Sequence, residues 1–275
     1  MDTGGTVPSV VDIEAAIGFV VARGDQVDRA RLSWLRTQLP PSPDILAKVE
    51  MGQSRSGGWP AFWSSDVASI DASCFRLAEI DDLGGLEREP AKRAIAWLAG
   101  RQRPDGFWQE DEALADTAPP WAIPGDPEAA LYVTANAGFW MVVAGPPTPA
   151  DAPRHAEVIA RATQAFRAAM RPDGSWPSFL VAGWLGAALL FKTGWFYEAA
   201  QIQVILASRI PEMSAADVAW LSAAFRRVGI STDDFVLAAA RKRLAETQRT
   251  DGGWSSDDGD AFDVHTTLMA LRGMR

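Results

Sequence analysis

A seven-residue phrase occurs four times in this chain, and it constrains the fold more than any other feature. The copies read Gln53-Ser-Arg-Ser-Gly-Gly-Trp59, Gln102-Arg-Pro-Asp-Gly-Phe-Trp108, Met170-Arg-Pro-Asp-Gly-Ser-Trp176 and Gln248-Arg-Thr-Asp-Gly-Gly-Trp254. The tryptophans are 49, 68 and 78 residues apart, so units of one kind are separated by insertions of different length. Such repeats mark stacked supersecondary units, none of which buries its apolar face alone. The phrase itself is a turn. Pro fixes φ, Asp bonds its own backbone, and Gly takes positive φ. Trp can then fold back onto the unit, and Gln can satisfy exposed helix-end backbone. These motifs therefore read as structural staples.

Between the turns the apolar spacing is helical. About twelve helices are expected, at 12–23, 26–38, 42–52, 66–80, 88–102, 127–143, 152–170, 179–192, 195–209, 214–228, 232–248 and 261–273. Ser214-Ala-Ala-Asp217 and Ser231-Thr-Asp-Asp234 resemble helix-starting boxes, and Pro43, Pro90 and Pro127 sit where a first turn tolerates proline. No run of alternating strand residues stands out. Taken in pairs, the helices make six hairpins. The first member of most pairs is charged on one face, and the second is apolar nearly all round, as in Leu131–Trp140 and Val181–Leu190. Solvated outer helices around buried inner ones give an all-α fold, an α/α toroid, as a single domain over 1–275.

Bulk properties narrow the function. The net charge of −9 opposes nucleic acid and anionic lipid. No apolar stretch is long enough to span a bilayer, and residues 1–8 lack the basic and apolar parts of a secretory signal. The lone Cys74 permits no internal disulfide. A cytoplasmic protein is expected, with peripheral membrane contact left open. Twelve Trp against two Tyr suggests a repeated structural use, an aromatic cavity, or both.

The repeated Gln-x-x-x-Gly-x-Trp phrase resembles the QW motif of triterpene cyclases. The run Asp251–Leu271 is similar to the last repeat of that superfamily, which includes squalene–hopene cyclases and protein prenyltransferase β-subunits. The resemblance covers nearly the whole chain and implies one barrel, an isoprenoid substrate and acid-initiated carbocation chemistry. The Asp-x-Asp-Asp acid motif of class II cyclases is absent; Asp257-Asp-Gly-Asp260 has another order and sits in a turn. His265 and the pair Asp71 and Cys74 loosely resemble the prenyltransferase zinc ligands, but a fourth ligand is not evident. No cofactor is expected, with zinc or magnesium held open.

Asp71 is expected mid-helix on an otherwise apolar inner helix, where an acid must be satisfied by neighbours or serve chemistry. It is the first candidate acid, with Arg76 or a turn amide as its structural partner otherwise. Asp263 and His265, at the start of the last inner helix, are the other catalytic candidates; a helix-cap acid and a core histidine are their structural alternatives. Trp63, Phe75, Tyr132, Trp140, Trp184, Trp220 and Phe262, with Phe139 and Phe179, are expected near the lumen, where rings bind a polyprenyl chain and stabilise a cation or simply pack. Asp81-Asp82 reads as a solvated helix end, and His155 as part of a solvated outer helix. Three functions follow from these residues: a terpenoid cyclase-like enzyme, a non-catalytic toroid that binds an isoprenoid or a protein, and a glycan-active α/α barrel.

Overall fold

The computed structural model describes residues 10–64 and 66–275, and residues 1–8 of the signal-peptide argument lie outside them. The described residues form twelve α-helices: α1 (Ile13–Arg23), α2 (Gln26–Thr37), α3 (Pro43–Glu50), α4 (Ile70–Asp81), α5 (Glu89–Arg101), α6 (Pro127–Ala144), α7 (Ala152–Ala169), α8 (Leu180–Lys192), α9 (Phe196–Arg209), α10 (Ala215–Arg227), α11 (Phe235–Thr247) and α12 (Asp263–Gly273). Strand structure among them is one two-residue antiparallel pair, β1 (Trp59–Pro60) with β2 (Ala68–Ser69). That pair moves the start of α4 from the expected 66 to Ile70, and Ser69 becomes its N-cap, accepting from the Ala72 amide.

The chain divides into two compact units. One joins the described residues through Leu32 to Val204–Arg275, and the other is Ser33–Gln203. In the larger unit, α6 packs against α4, α7 and α8. Helices α6 and α8 are buried along most of their length because small residues let neighbours approach. At Gly186 a Cβ would stand 2.0 Å from the Phe166 ring, so only glycine fits there. Helices α5 and α7 instead bury one stripe each. In the smaller unit, α12 is buried almost throughout and packs on α10 and α1. Helix α2 breaks the alternation of outer and inner helices, since only Arg31 and Leu32 of its twelve residues are buried.

The four turns are built alike. In the second, the Arg103 amide donates to the Phe107 carbonyl, the Gly106 amide to the Arg103 carbonyl, and the Phe107 amide to the Asp105 side chain. Gly106 has φ of 88°, and a Cβ there would meet the Arg161 carbonyl at 2.6 Å, so both conformation and space require glycine. Trp108 is fully buried and donates its indole N–H to the Leu98 carbonyl at 2.8 Å. Trp254 repeats this with Leu244 at 2.9 Å. Gln102 donates to both the Gly106 and the Val158 carbonyls, while its own oxygen accepts from Arg161. Gln53 and Gln248 make the same double donation, to Gly57 and Pro90 and to Gly252 and Asp12. The glutamine thus ties three of the four turns to a segment distant in sequence; the third copy has Met170 in its place.

The tryptophan amides set a register. Trp59 donates to Ser73 of α4, Trp108 to Thr134 of α6 and Trp254 to Thr267 of α12. Two residues before these hydroxyls stand Asp71, Tyr132 and His265. Helices α4, α6 and α12 therefore each present one polar side chain at the same height from the staple.

Candidate active site

Asp71 lies in the first turn of α4, not mid-helix as the 66–80 helix had implied. Its carboxyl is half-buried and has neutral partners. Tyr132 of α6 donates its hydroxyl to Oδ1 at 2.5 Å, and Asn136 donates to the same oxygen at 3.3 Å. Trp121, in a short 3-10 turn ahead of α6, donates its indole N–H to Oδ2 at 3.2 Å. Tyr132 and Asn136 are one helical turn apart and also bond each other at 3.3 Å. Burial pushes the Asp71 carboxyl up, against the downward pull of these three donors. The Tyr132 hydroxyl is pushed well up by its own burial and by the neighbouring acid. Arg76, the expected ionic partner, instead pairs with Glu79 at 2.6 Å.

A second carboxyl stands behind the first. Glu110, just past the Trp108 staple, is 2% exposed. It accepts from the Ser69 hydroxyl at 2.7 Å, the Ile70 amide at 2.9 Å and the Asp71 amide at 2.8 Å. Burial raises its pKa to about 7, outweighing these bonds, and the Asp71 charge adds to the rise. Cys74, one turn along α4, has its thiol pushed well up by burial and then by Asp71 and Glu110.

The α12 candidates have charged partners. Asp263 pairs with the Arg249 guanidinium and accepts from the Ser256 amide at 2.8 Å, fastening the loop that enters the helix. His265 Nδ1 lies 2.9 Å from Nη1 of the buried Arg31. A guanidinium only donates, so Nδ1 accepts and the neutral ring carries its proton on Nε2. Trp220 lies against this ring, centroids 4.9 Å apart.

The expected aromatic wall is distributed. Tyr132 meets Asp71, and its ring edge meets Phe179 at 6.3 Å between centroids. Phe75 is half-buried on α4 with its ring against Phe62, and Trp63 is half-buried in the β1–β2 loop. Trp140 and Trp184 are packed in the core of the larger unit, and Phe262 is 44% exposed. His155, expected on a solvated face, is buried with its ring against the Met141 carbonyl at 2.8 Å, because it falls on the inward stripe of α7. Asp82, expected at a solvated helix end, is also buried. Among the described residues, no three His, Cys, Asp or Glu side chains gather as a metal site requires. No helix among them is long and apolar enough to cross a membrane. A groove of about 770 Å³ opens at the C-terminal end of α6, lined by Met141, Ile159, Arg167 and Trp195 among others, at the opposite end of that helix from Asp71.

Three members of the acid cluster were not picked out from sequence. Asn136 had a signal, as an amide one turn beyond Tyr132 in an apolar helix. Trp121 and Glu110 had none, since both lie in irregular chain between the Trp108 staple and α6.

No family model matches the chain, and no curated protein does. Solved structures do match. A protein from Actinoplanes superposes with a TM-score of 0.64 at 19% identity, covering 96% of this chain and 97% of that one. The type II terpene cyclase MstE from Scytonema gives 0.60 at 16% identity over 95% and 96% of the two chains. An MstE variant in complex with geranylgeranyl dihydroxybenzoate, its substrate, gives 0.59 at 16% identity over 95% of both. The chain has a type II terpene cyclase-like fold. That is the all-α toroid class which the repeats implied, and it is shared along nearly the full length of each partner.

Proposed function

We propose that this protein is a terpenoid cyclase-like enzyme, one barrel domain over 1–275, that starts a carbocation cyclisation by protonating an apolar isoprenoid. The observation that carries the reading is Asp71: a half-buried carboxyl with three neutral donors and, among the described residues, no cation bonded to it. Burial favours its protonated form, which is the form that can donate. In the step, the Asp71 O–H bond breaks and its proton forms a C–H bond at one alkene carbon. The π pair makes that bond, and the other carbon becomes the cation. The carboxylate left behind is the species that Tyr132, Asn136 and Trp121 are placed to stabilise. A base, Asp71 itself in the simplest case, takes a proton from the final cation and closes the cycle. The Tyr132, Phe75, Trp63 and Trp121 rings are assigned to the apolar chain and the migrating charge, each worth roughly 0.5–2 kcal/mol. Trp140, Trp184, Trp220 and Phe262 belong to the same aromatic assignment with less support. Asp263 and His265 are assigned to orienting α12, not to the first proton transfer. An isoprenoid substrate agrees with the geranylgeranyl dihydroxybenzoate bound by an MstE variant, and a cytoplasmic setting with the lone cysteine.

The test is incubation with polyprenyl and geranylgeranyl-aryl substrates in D2O. Cyclised product carrying one added deuterium is the expected result. The same product without deuterium would remove Asp71 as a solvent-exchanging acid. Binding without turnover would support the alternative, a non-catalytic isoprenoid-binding toroid, which the missing Asp-x-Asp-Asp motif favours.

A further inference from the structure

Glu110 is the other buried acid of the cluster, and the proton transfer above does not use it. Its position explains what it contributes. Both of its oxygens are spent on the first turn of α4: one accepts from Ser69 and from the Asp71 amide, the other from the Ile70 amide. Among the described residues no other group accepts from those two amides, which have no intrahelical acceptor. Ser69 in turn caps the Ala72 amide and takes the Ser73 hydroxyl at its carbonyl, while Ser73 holds the Trp59 amide. A chain of bonds thus runs from the staple through Glu110 to the backbone of Asp71. The groups facing the Asp71 carboxyl are Cys74 from its own helix, Tyr132 and Asn136 from α6, and Trp121 from the turn before it; Glu110 faces its backbone. Glu110 is therefore a nearby group outside α4 that can become a carboxylate.

We propose that Glu110 is a positioning residue for the acid: it clamps the first turn of α4 and so fixes where the Asp71 carboxyl meets Tyr132 and Asn136. The inference rests on Asp71 as the proton donor for its catalytic meaning, but the physical coupling stands apart from turnover. A carboxyl's pKa follows the hydrogen bonds its position allows, so a displaced Asp71 titrates differently whether or not turnover is measured.

Three variants separate the parts. Glu110→Gln keeps the size and removes the charge. Glu110→Asp keeps the charge and withdraws it by one methylene from its three donors. Ser69→Ala removes one donor alone. The Asp71 carboxyl is followed by carbon-13 NMR titration, assigned with Asp71→Asn, beside the pH profile of turnover. Glu110→Gln should loosen the first turn and weaken the Tyr132 and Asn136 bonds that lower the Asp71 pKa, so the Asp71 titration and the profile should move to higher pH by about half a unit or more. Glu110→Asp should move the titration the same way and lower turnover about tenfold or more. Ser69→Ala should fall between the parent and Glu110→Asp. An unmoved Asp71 titration in Glu110→Gln, with only a lower melting temperature, would overturn the proposal and leave Glu110 a plain helix cap. If Glu110→Gln does not fold, full turnover in Glu110→Asp and Ser69→Ala overturns it equally. If Asp71→Asn still turns over, the acid assignment fails while the titration result for Glu110 still stands on its own.

Discussion

Helices α4 and α12 pose the same problem with opposite solutions. Each starts beside a Trp staple, each hydrogen-bonds that Trp amide with a hydroxyl, and each carries a polar side chain two residues earlier. On α12 the polar groups are met by guanidinium groups: Arg249 on Asp263 and Arg31 on His265. On α4 the carboxyl is met by a phenol, an amide and an indole, and a second acid holds its backbone. A cation fixes a carboxylate in its charged form, whereas burial among neutral donors favours the protonated one. The lesson is that register alone does not make an acid. The charge of the partners does.

The sharpest break in this comparison is substitution of the two polar groups. Asp71→Asn should abolish cyclisation while the fold and isoprenoid binding persist, because Asn keeps the shape but has no proton to give. Product analysis beside thermal melting reads this. His265→Ala should instead cost about 1–3 kcal/mol of stability and leave turnover per folded molecule within about tenfold. Equal losses of turnover in the two variants would erase the distinction.

The staples supply the next contrast. Trp108→Ala should destabilise by about 3–5 kcal/mol in urea unfolding, as for a large core aromatic. Trp176→Ala should cost less, since its repeat has Met170 where the others have Gln and its ring is 6% exposed. Equal midpoints for the two variants would show that the Gln bridge adds nothing.

The third prediction concerns pH. Asp71 and Glu110 both have folded-state pKa values above their ordinary ones. Between the ordinary and raised values the folded chain holds more protons than the unfolded one, so stability is full at low pH and falls as pH rises. For Glu110 that window runs from about 4.5 to about 7 and is worth up to ~3 kcal/mol. Melting temperature should fall across this window, and Glu110→Gln should flatten the fall. A rising melting temperature there would contradict the raised values.

The smallest effect is expected from Tyr132→Phe. Losing the hydroxyl removes a bond that lowers the Asp71 pKa, so the Asp71 titration should move to still higher pH. Stability should drop by about 1 kcal/mol. A shift to lower pH would mean that Tyr132 is not the donor in this bond.

Local chemistry in the sequence determined the helices, the four turns and the fold class. Pro-Asp-Gly needs no distant partner to turn, and an apolar stripe of helical period needs only a neighbour to cover it. Asp71 was legible too, as an acid beside apolar positions, and so was Tyr132 as a ring on an apolar helix. What the sequence left open was partnership. Nothing along the chain says that Glu110 comes back to the Ile70 and Asp71 amides, that Trp121 reaches Oδ2, or that Arg31 rather than a carbonyl meets His265. Those contacts join residues 39 to 234 positions apart. The protonation of a buried group is set by whatever stands within a few ångströms of it, so the tertiary structure alone decided which of the polar inner-helix residues is enclosed by neutral donors.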